Sequence, residues 1–273
     1  MSLVAAVQMN SQEDVGTNLR IAERLLEQAA SQGVVLAVLP ENFAFMGARD
    51  TDKLAHAEID GAGPIQEFLA DTSARLNLSI VGGTLPMAVP GTPDKVYAAS
   101  LTYDARGQRV ARYDKIHLFD VDVMRDGKAE SYRESSSIDY GAPGAVTVKT
   151  PIGKLGLSVC YDLRFPELYR ALTQHGAEIL SIPSAFTEKT GEAHWEILLR
   201  ARAVENLCYV IAPNQSGAHP GGRRTWGHSM IINPWGDILA QCSDGEALVL
   251  ADVDRVQQSQ TRSRFPSLTH RRL

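Results

Sequence analysis

Short apolar runs alternate with amphipathic segments along the chain. "LVAAVQM" reads as a buried strand, and after "SQEDVGTN" the apolar residues Val15, Leu19, Ala22 and Leu26 keep the spacing of one helical face. Asp14 or Thr17 would cap that helix. "GVVLAVLPE" is a second strand ending on Glu41, giving strand, helix, strand, with a helix long enough to cross between neighbours of one sheet. A helix near "PIQEFLADTSARLN", a strand at "LSIVGGTLP" and a hairpin of "KVYAASLTYD" and "RVARYD" turned by "ARGQ" follow.

The polar stretch from Phe119 to Pro143 reads as a loop. Beyond it come "AVTVKT", the turn "PIG", "KLGLSVC", a helix from Pro166 to about His175 and the strand "EILSIPS". A helix over about Ala193 to Asn206 leads to "CYVIAPN", a Gly-rich polar loop "QSGAHPGGRRTWG" and two strands turned at "PWGD". No linker, repeat or low-complexity tract divides the 273 residues, so one α/β domain over 1–273 is expected. Strands joined both by helices and by hairpins suggest two packed sheets with helices outside.

Composition adds exclusions. Apolar residues at 44% and charged residues at 22% are those of an ordinary globular chain, and a net charge of −5 provides no basic field for nucleic acid. No apolar run approaches the roughly 18 residues of a membrane span, and "MSLVAAVQMN" lacks a basic leader, so a cytoplasmic protein is expected. Cys160, Cys208 and Cys242 are odd in number and irregularly spaced, which fits a reduced compartment better than a disulfide framework.

Three polar residues end strand-like segments: Glu41 after "VVLAVLP", Lys115 after "RVARYD" and Cys160 after "KLGLSV". Functional groups gather at strand ends in open α/β sheets, because the strands are rigid and the loops beyond them shape a pocket. Taken singly, Cys160 is equally a small core residue, Glu41 a cap and Lys115 an exposed charge. Spacing leaves those alternatives open.

"LPENF" around Glu41, "YDKIHLFD" around Lys115 and "GLSVCYDLRFPEL" around Cys160 resemble the three motif blocks of the nitrilase, or carbon–nitrogen hydrolase, superfamily. The similarity runs from "VAAVQMN" through "HWEILLRARAVEN" and "WGHSMIINPWGDILA" to "RSRFPSLTHRR". It implies a four-layer α-β-β-α sandwich with a Glu-Lys-Cys site. Cys160 would carry an acyl group as a thioester, because attack by sulfur splits amide hydrolysis into two easier steps. A free thiol, with a pKa of about 8.5, is only a few per cent ionised at neutral pH, so Glu41 is implied as its base, then as acid to the leaving amine and activator of water. Lys115 and the backbone N–H of Tyr161 are implied as donors to the oxyanion, and Glu134 in "YRESSS" as a second glutamate on the lysine. A binding or scaffold protein on the same fold is the rival from another class.

A Cys-His pair built from His194 or His228, each read at the start of its element, is disfavoured by this resemblance. There is no HExxH and no CxxC, so no metal or organic cofactor is implied. "CYDLRFPEL", "SAFTEKTGEAHWEILLRARAVEN" and "QSGAHPGGRRTWGHSM", with Gln215, Gly217, His219 and Arg223, resemble the branch containing deaminated glutathione amidase and omega-amidase. That branch implies a small carboxylate-bearing amide as substrate. Arg164 is the first candidate to bind the carboxylate, with Arg223 or Arg224 from the Gly-rich loop, and Ser184, Ala185 and Phe186 as pocket lining. The terminal "THRRL" and the helix after Cys160 resemble segments that pair subunits, so at least a homodimer is expected.

Overall fold

Residues 1–125 and 128–272 are described by the computed structural model of the protein. A seven-stranded sheet has the order Ala247–Val253, Ser2–Gln8, Leu36–Val38, Ser79–Val81, Thr92–Tyr103, Leu85–Val89, with Arg109–Asp114 also paired to Thr92–Tyr103. Its three parallel strands, Ser2–Gln8, Leu36–Val38 and Ser79–Val81, are joined through helices α1 (Val15–Ser31) and α2 (Pro64–Leu76). A six-stranded sheet has the order Ile238–Gln241, Met230–Ile232, Tyr209–Ala212, Ile179–Ser181, Gly153–Leu157, Thr147–Thr150. There the parallel strands are joined through α3 (Pro166–Gln174) and α4 (Glu188–Asn206), and α5 (Arg255–Arg264) follows the last strand of the chain.

The layering follows from the two-residue period of a strand. In Ser2–Gln8, Val4 and Ala6 enter an apolar cluster with Leu155, Leu157 and Val210 of the other sheet, whereas Ala5 and Val7 join Leu25, Leu26 and Ala29 of α1 and Ile65 and Leu69 of α2. The first sheet is therefore covered on both faces. The second sheet packs its outer side under Leu168, Tyr169 and Leu172 of α3 and Trp195, Leu199 and Ala203 of α4. The result is an α-β-β-α sandwich. Among the described residues, no helix is long and apolar enough to cross a membrane.

Several elements differ from the sequence reading. α4 begins at Glu188 rather than near Ala193, because Thr187 caps it with a side chain that accepts from the Thr190 N–H. The stretch from Phe119 to Pro143 holds an antiparallel pair, Asp120–Arg125 and Lys128–Arg133, where only the short alternation of Asp120, Val121, Asp122 and Val123 signals a strand within an otherwise polar stretch. "LSIVGGTLP" divides into two strands at its glycines: Gly83 has φ +48°, and a Cβ there would lie 1.9 Å from the Pro40 carbonyl oxygen. Ala247–Val253 and α5 are additions, the strand pairing antiparallel with Ser2–Gln8 from the far end of the chain.

Candidate active site

The apolar strand Leu36–Val38 runs through Leu39 and Pro40 to Glu41, which is 4% exposed. Lys115 follows Arg109–Asp114 directly and is 1% exposed, its N–H bonded to the Ala98 carbonyl. Its Nζ lies 2.8 Å from Oε1 of Glu41 and 2.8 and 2.9 Å from the two carboxylate oxygens of Glu134. Glu134 Oε2 also accepts from the Phe119 N–H at 2.6 Å. One ammonium thus joins two carboxylates from separate segments.

Cys160 stands three residues past Gly153–Leu157, with φ +46°, a backbone region that a non-glycine residue occupies at a cost of about 1–3 kcal/mol. Its own N–H is spent on the Pro183 carbonyl at 2.8 Å. The following single turn, Cys160–Arg164, begins with amides that have no acceptor inside the turn, Tyr161 among them. Asp162, fully buried, holds this bend: it accepts from the Val159 N–H at 2.8 Å, the Tyr113 hydroxyl at 2.7 Å and the His117 N–H at 3.2 Å, and its Oδ1 lies 2.6 Å from His117 Nδ1. Tyr113 and His117 flank Lys115, so one carboxylate ties the cysteine bend to the lysine segment.

Burial, and then the Glu41 carboxylate, push the Cys160 thiol well above its ordinary range against the opposing pull of Lys115. The resting group is therefore a thiol, beside a carboxylate that can take its proton. Burial alone would depress the Lys115 ammonium, but Glu134 and Glu41 outweigh it and hold the ammonium well above the usual lysine value.

Glu41, Lys115, Glu134, Cys160 and Tyr161 all line one cleft of about 590 Å³, together with Arg164, Ala185, Phe186 and Arg223. Ser184 does not reach it: the residue is wholly buried and its hydroxyl turns to the Ile182 carbonyl, which corrects its expected place in the lining. Arg164 lies over the rings of Tyr161 and Phe186, at 5.8 and 5.5 Å, with His194 Nδ1 at 3.3 Å. Arg223 pairs with Asp50 at 2.7 Å over the Tyr132 ring, whereas Arg224 pairs with the more distant Glu188 outside the cleft. His194 lies within α4 rather than at its start, and neither it nor His228 is among the lining residues.

The Gly-rich loop contributes more to support than to lining. Gln215 is fully buried and donates to the Glu41 carbonyl at 2.9 Å and to the Ser11 hydroxyl at 2.8 Å, fixing the backbone that carries the carboxylate. His219 is held between the Ser11 carbonyl and the Thr225 hydroxyl. Asn42, Asp50, Lys53, Phe119, Tyr132, Thr187 and Thr190 complete the cleft, and none was singled out from sequence. Of these Asp50 and Lys53 are charged, but both lie in the polar run from Arg49 to Lys53, a signal too common to act on.

The family model for carbon–nitrogen hydrolases matches residues 3–263. A deaminated glutathione amidase from Synechocystis sp. is 45% identical over 270 residues, covering 98% of this chain and 97% of its own. The crystal structure of the Caenorhabditis elegans NitFhit protein superposes with a TM-score of 0.90 at 38% identity; the match covers 99% of this chain but only 65% of that one. Saccharomyces cerevisiae Nit3, described as a member of branch 10 of the nitrilase superfamily, superposes with a TM-score of 0.86 at 31% identity, covering 97% and 94%. With the match extending across both sheets and all the cleft residues, this chain belongs to the carbon–nitrogen hydrolase family.

Proposed function

We propose that the protein is an amidohydrolase in which Cys160 is the nucleophile, Glu41 the proton carrier, and Lys115 with the Tyr161 N–H the donors to the oxyanion. The observation that carries this reading is the buried Glu41–Lys115–Glu134 cluster beside a cysteine in left-handed backbone at one cleft. In acylation the Cys160 sulfur bonds to the amide carbon, its proton passes to Glu41, and the carbonyl electron pair moves onto oxygen facing Lys115. Collapse restores the carbonyl and breaks the C–N bond, and Glu41 returns the proton to the departing nitrogen, leaving a thioester. Water then attacks that carbon while Glu41 takes its proton; the C–S bond breaks, and the proton returns to sulfur as the acid is released. Glu134 acts as a positioning residue, because both of its carboxylate oxygens accept from the lysine ammonium.

The substrate we favour is deaminated glutathione, cleaved to 2-oxoglutarate and cysteinylglycine. Full-length similarity to relatives of that name supports it, as do the guanidinium groups of Arg164 and Arg223 in the cleft, with Ala185 and Phe186 shaping its wall. The test is release of 2-oxoglutarate and ammonia from deaminated glutathione, 2-oxoglutaramate, a simple nitrile and an N-carbamoyl amino acid, with Cys160→Ala as control. Preferential cleavage of deaminated glutathione is expected. Preference for 2-oxoglutaramate would assign an omega-amidase, and no turnover by folded protein would favour a non-catalytic binding role.

We read residues 1–273 as one cytoplasmic domain that works as a homodimer or higher homo-oligomer. Exposed Ile197 and Val204 on α4, and Trp235 packed edge-on against Phe265, support subunit pairing, since apolar groups of this size are costly to leave in water. Light scattering of the purified protein tests it, a monomeric mass counting against it.

A further inference from the structure

Among the described residues, four cations line the cleft: Lys53, Lys115, Arg164 and Arg223. Two are neutralised by carboxylates, Lys115 by two glutamates and Arg223 by Asp50, while Arg164 lies against two aromatic faces with His194 Nδ1 at 3.3 Å. Lys53 differs. Among the described residues, no hydrogen bond or ion pair reaches its ammonium, and it sits on the wall that includes Asn42 and Asp50.

The turn that carries it is firmly placed. Lys53 belongs to the short helix Asp52–His56, where Asp52 accepts from the Arg49 N–H at 2.8 Å, and the Ser137 hydroxyl donates to the Asp50 carbonyl at 2.8 Å. A half-buried cation with unused donors on a fixed turn carries a desolvation cost that nearby carboxylates offset only at a distance, with no hydrogen-bonded partner among the described residues.

We infer that Lys53 is a specificity-determining residue whose ammonium binds the carboxylate of the substrate while the amide end reaches Cys160. The inference rests on the amidohydrolase reading. Charge within the cleft favours it: the anions Glu41 and Glu134 already share Lys115, and Asp50 is taken by Arg223, which among the described residues leaves Lys53, beside Arg164, without a carboxylate partner and with capacity for an incoming anion. Burial depresses the Lys53 ammonium, opposed by Glu134, Asp50 and Glu41 and aided by Arg223, so a bound carboxylate would restore its proton affinity.

Two measurements separate this inference from the catalytic one. The first is calorimetric binding of 2-oxoglutarate to Cys160→Ala protein, with and without Lys53→Met, which needs no turnover. The second compares KM and kcat for 2-oxoglutaramate and uncharged butyramide in wild-type, Lys53→Met and Lys53→Arg enzymes.

Loss of a charge-assisted contact predicts that Lys53→Met weakens 2-oxoglutarate binding and raises KM for the acidic amide by about 10- to 100-fold. The kcat should stay within about threefold, butyramide kinetics should not change, and Lys53→Arg should keep most of the affinity. Dicarboxylate binding that is absent from the parent protein, or unchanged by Lys53→Met, would overturn the inference, as would equal losses on both amides. Lys53-dependent binding without any Cys160-dependent turnover would instead sink only the amidohydrolase reading.

Discussion

Replacing Lys115 by alanine tests the centre of the site. Three carboxylate oxygens within 2.9 Å of Nζ would lose their common donor at a position 1% exposed to water. Two effects separate. In the transition state, loss of an oxyanion donor costs about 10²–10³ in kcat, or about 3–4 kcal/mol. In the ground state, removing one partner of a buried ion cluster costs about 3–5 kcal/mol, unless a carboxyl protonates to relieve it.

That relief has a definite pH signature. A carboxyl whose folded-state pKa is raised contributes stability that is full below its unfolded value and lost as pH rises through the raised one. The variant should therefore be less stable at about pH 8 than at about pH 5, which bracket the range above the ordinary carboxylate pKa. In the wild type the raised value belongs to Lys115: its contribution is full below the ordinary 10.5 and is lost only when pH rises through the still higher folded-state value. The assays are ammonia release at saturating amide and urea unfolding at both pH values. A folded variant that loses less than about tenfold in kcat would refute the oxyanion role, and a pH trend identical to wild type would refute the ground-state argument.

Glu41→Gln removes the second of the two influences that raise the Cys160 thiol, so alkylation of Cys160 by iodoacetamide should extend to lower pH while turnover collapses; an unmoved labelling profile would contradict the contact. Asp162→Asn puts an amide N–H₂ among four donor groups and should cost about 2–4 kcal/mol in urea unfolding along with much of kcat, whereas near-wild-type values would show that the bend holds itself. Gly83→Ala drives a Cβ against the Pro40 carbonyl next to Glu41 and should cost more than about 3 kcal/mol by thermal unfolding; a loss under about 1 kcal/mol would mean that the loop yields freely.

The parts of the site that were legible in sequence share one property: Glu41, Lys115 and Cys160 each end an extended segment whose strand character is written in contiguous residues. Glu134 came only through resemblance, since it sits in a short turn after a polar strand pair and not at the end of an apolar run. The first strand was readable for the same contiguous reason, while its partner Ala247–Val253 was not, because half-buried residues alternate there with little contrast. Ser184 was misplaced because it follows a buried strand as Ala185 and Phe186 do, yet its hydroxyl is held inward by the Ile182 carbonyl.

What stayed hidden is the set of contacts that fix distances between those strand ends. Asp162 lies two residues from Cys160, but its partners Tyr113 and His117 are 49 and 45 residues away, and Gln215 reaches the Glu41 carbonyl across 174. Such pairs obey no local period, so neither residue advertises the other. They nonetheless decide whether the three polar residues form a site. The shared apolar cluster sets the spacing of the two sheets, and the buried Asp162 carboxylate with its four contacts sets the finer placement of the Cys160 bend against the lysine segment. Catalysis therefore depends as much on Asp162 and Gln215 as on neighbouring strands, and the separation of Cys160 from Lys115 should loosen in Asp162→Asn before either sheet unfolds.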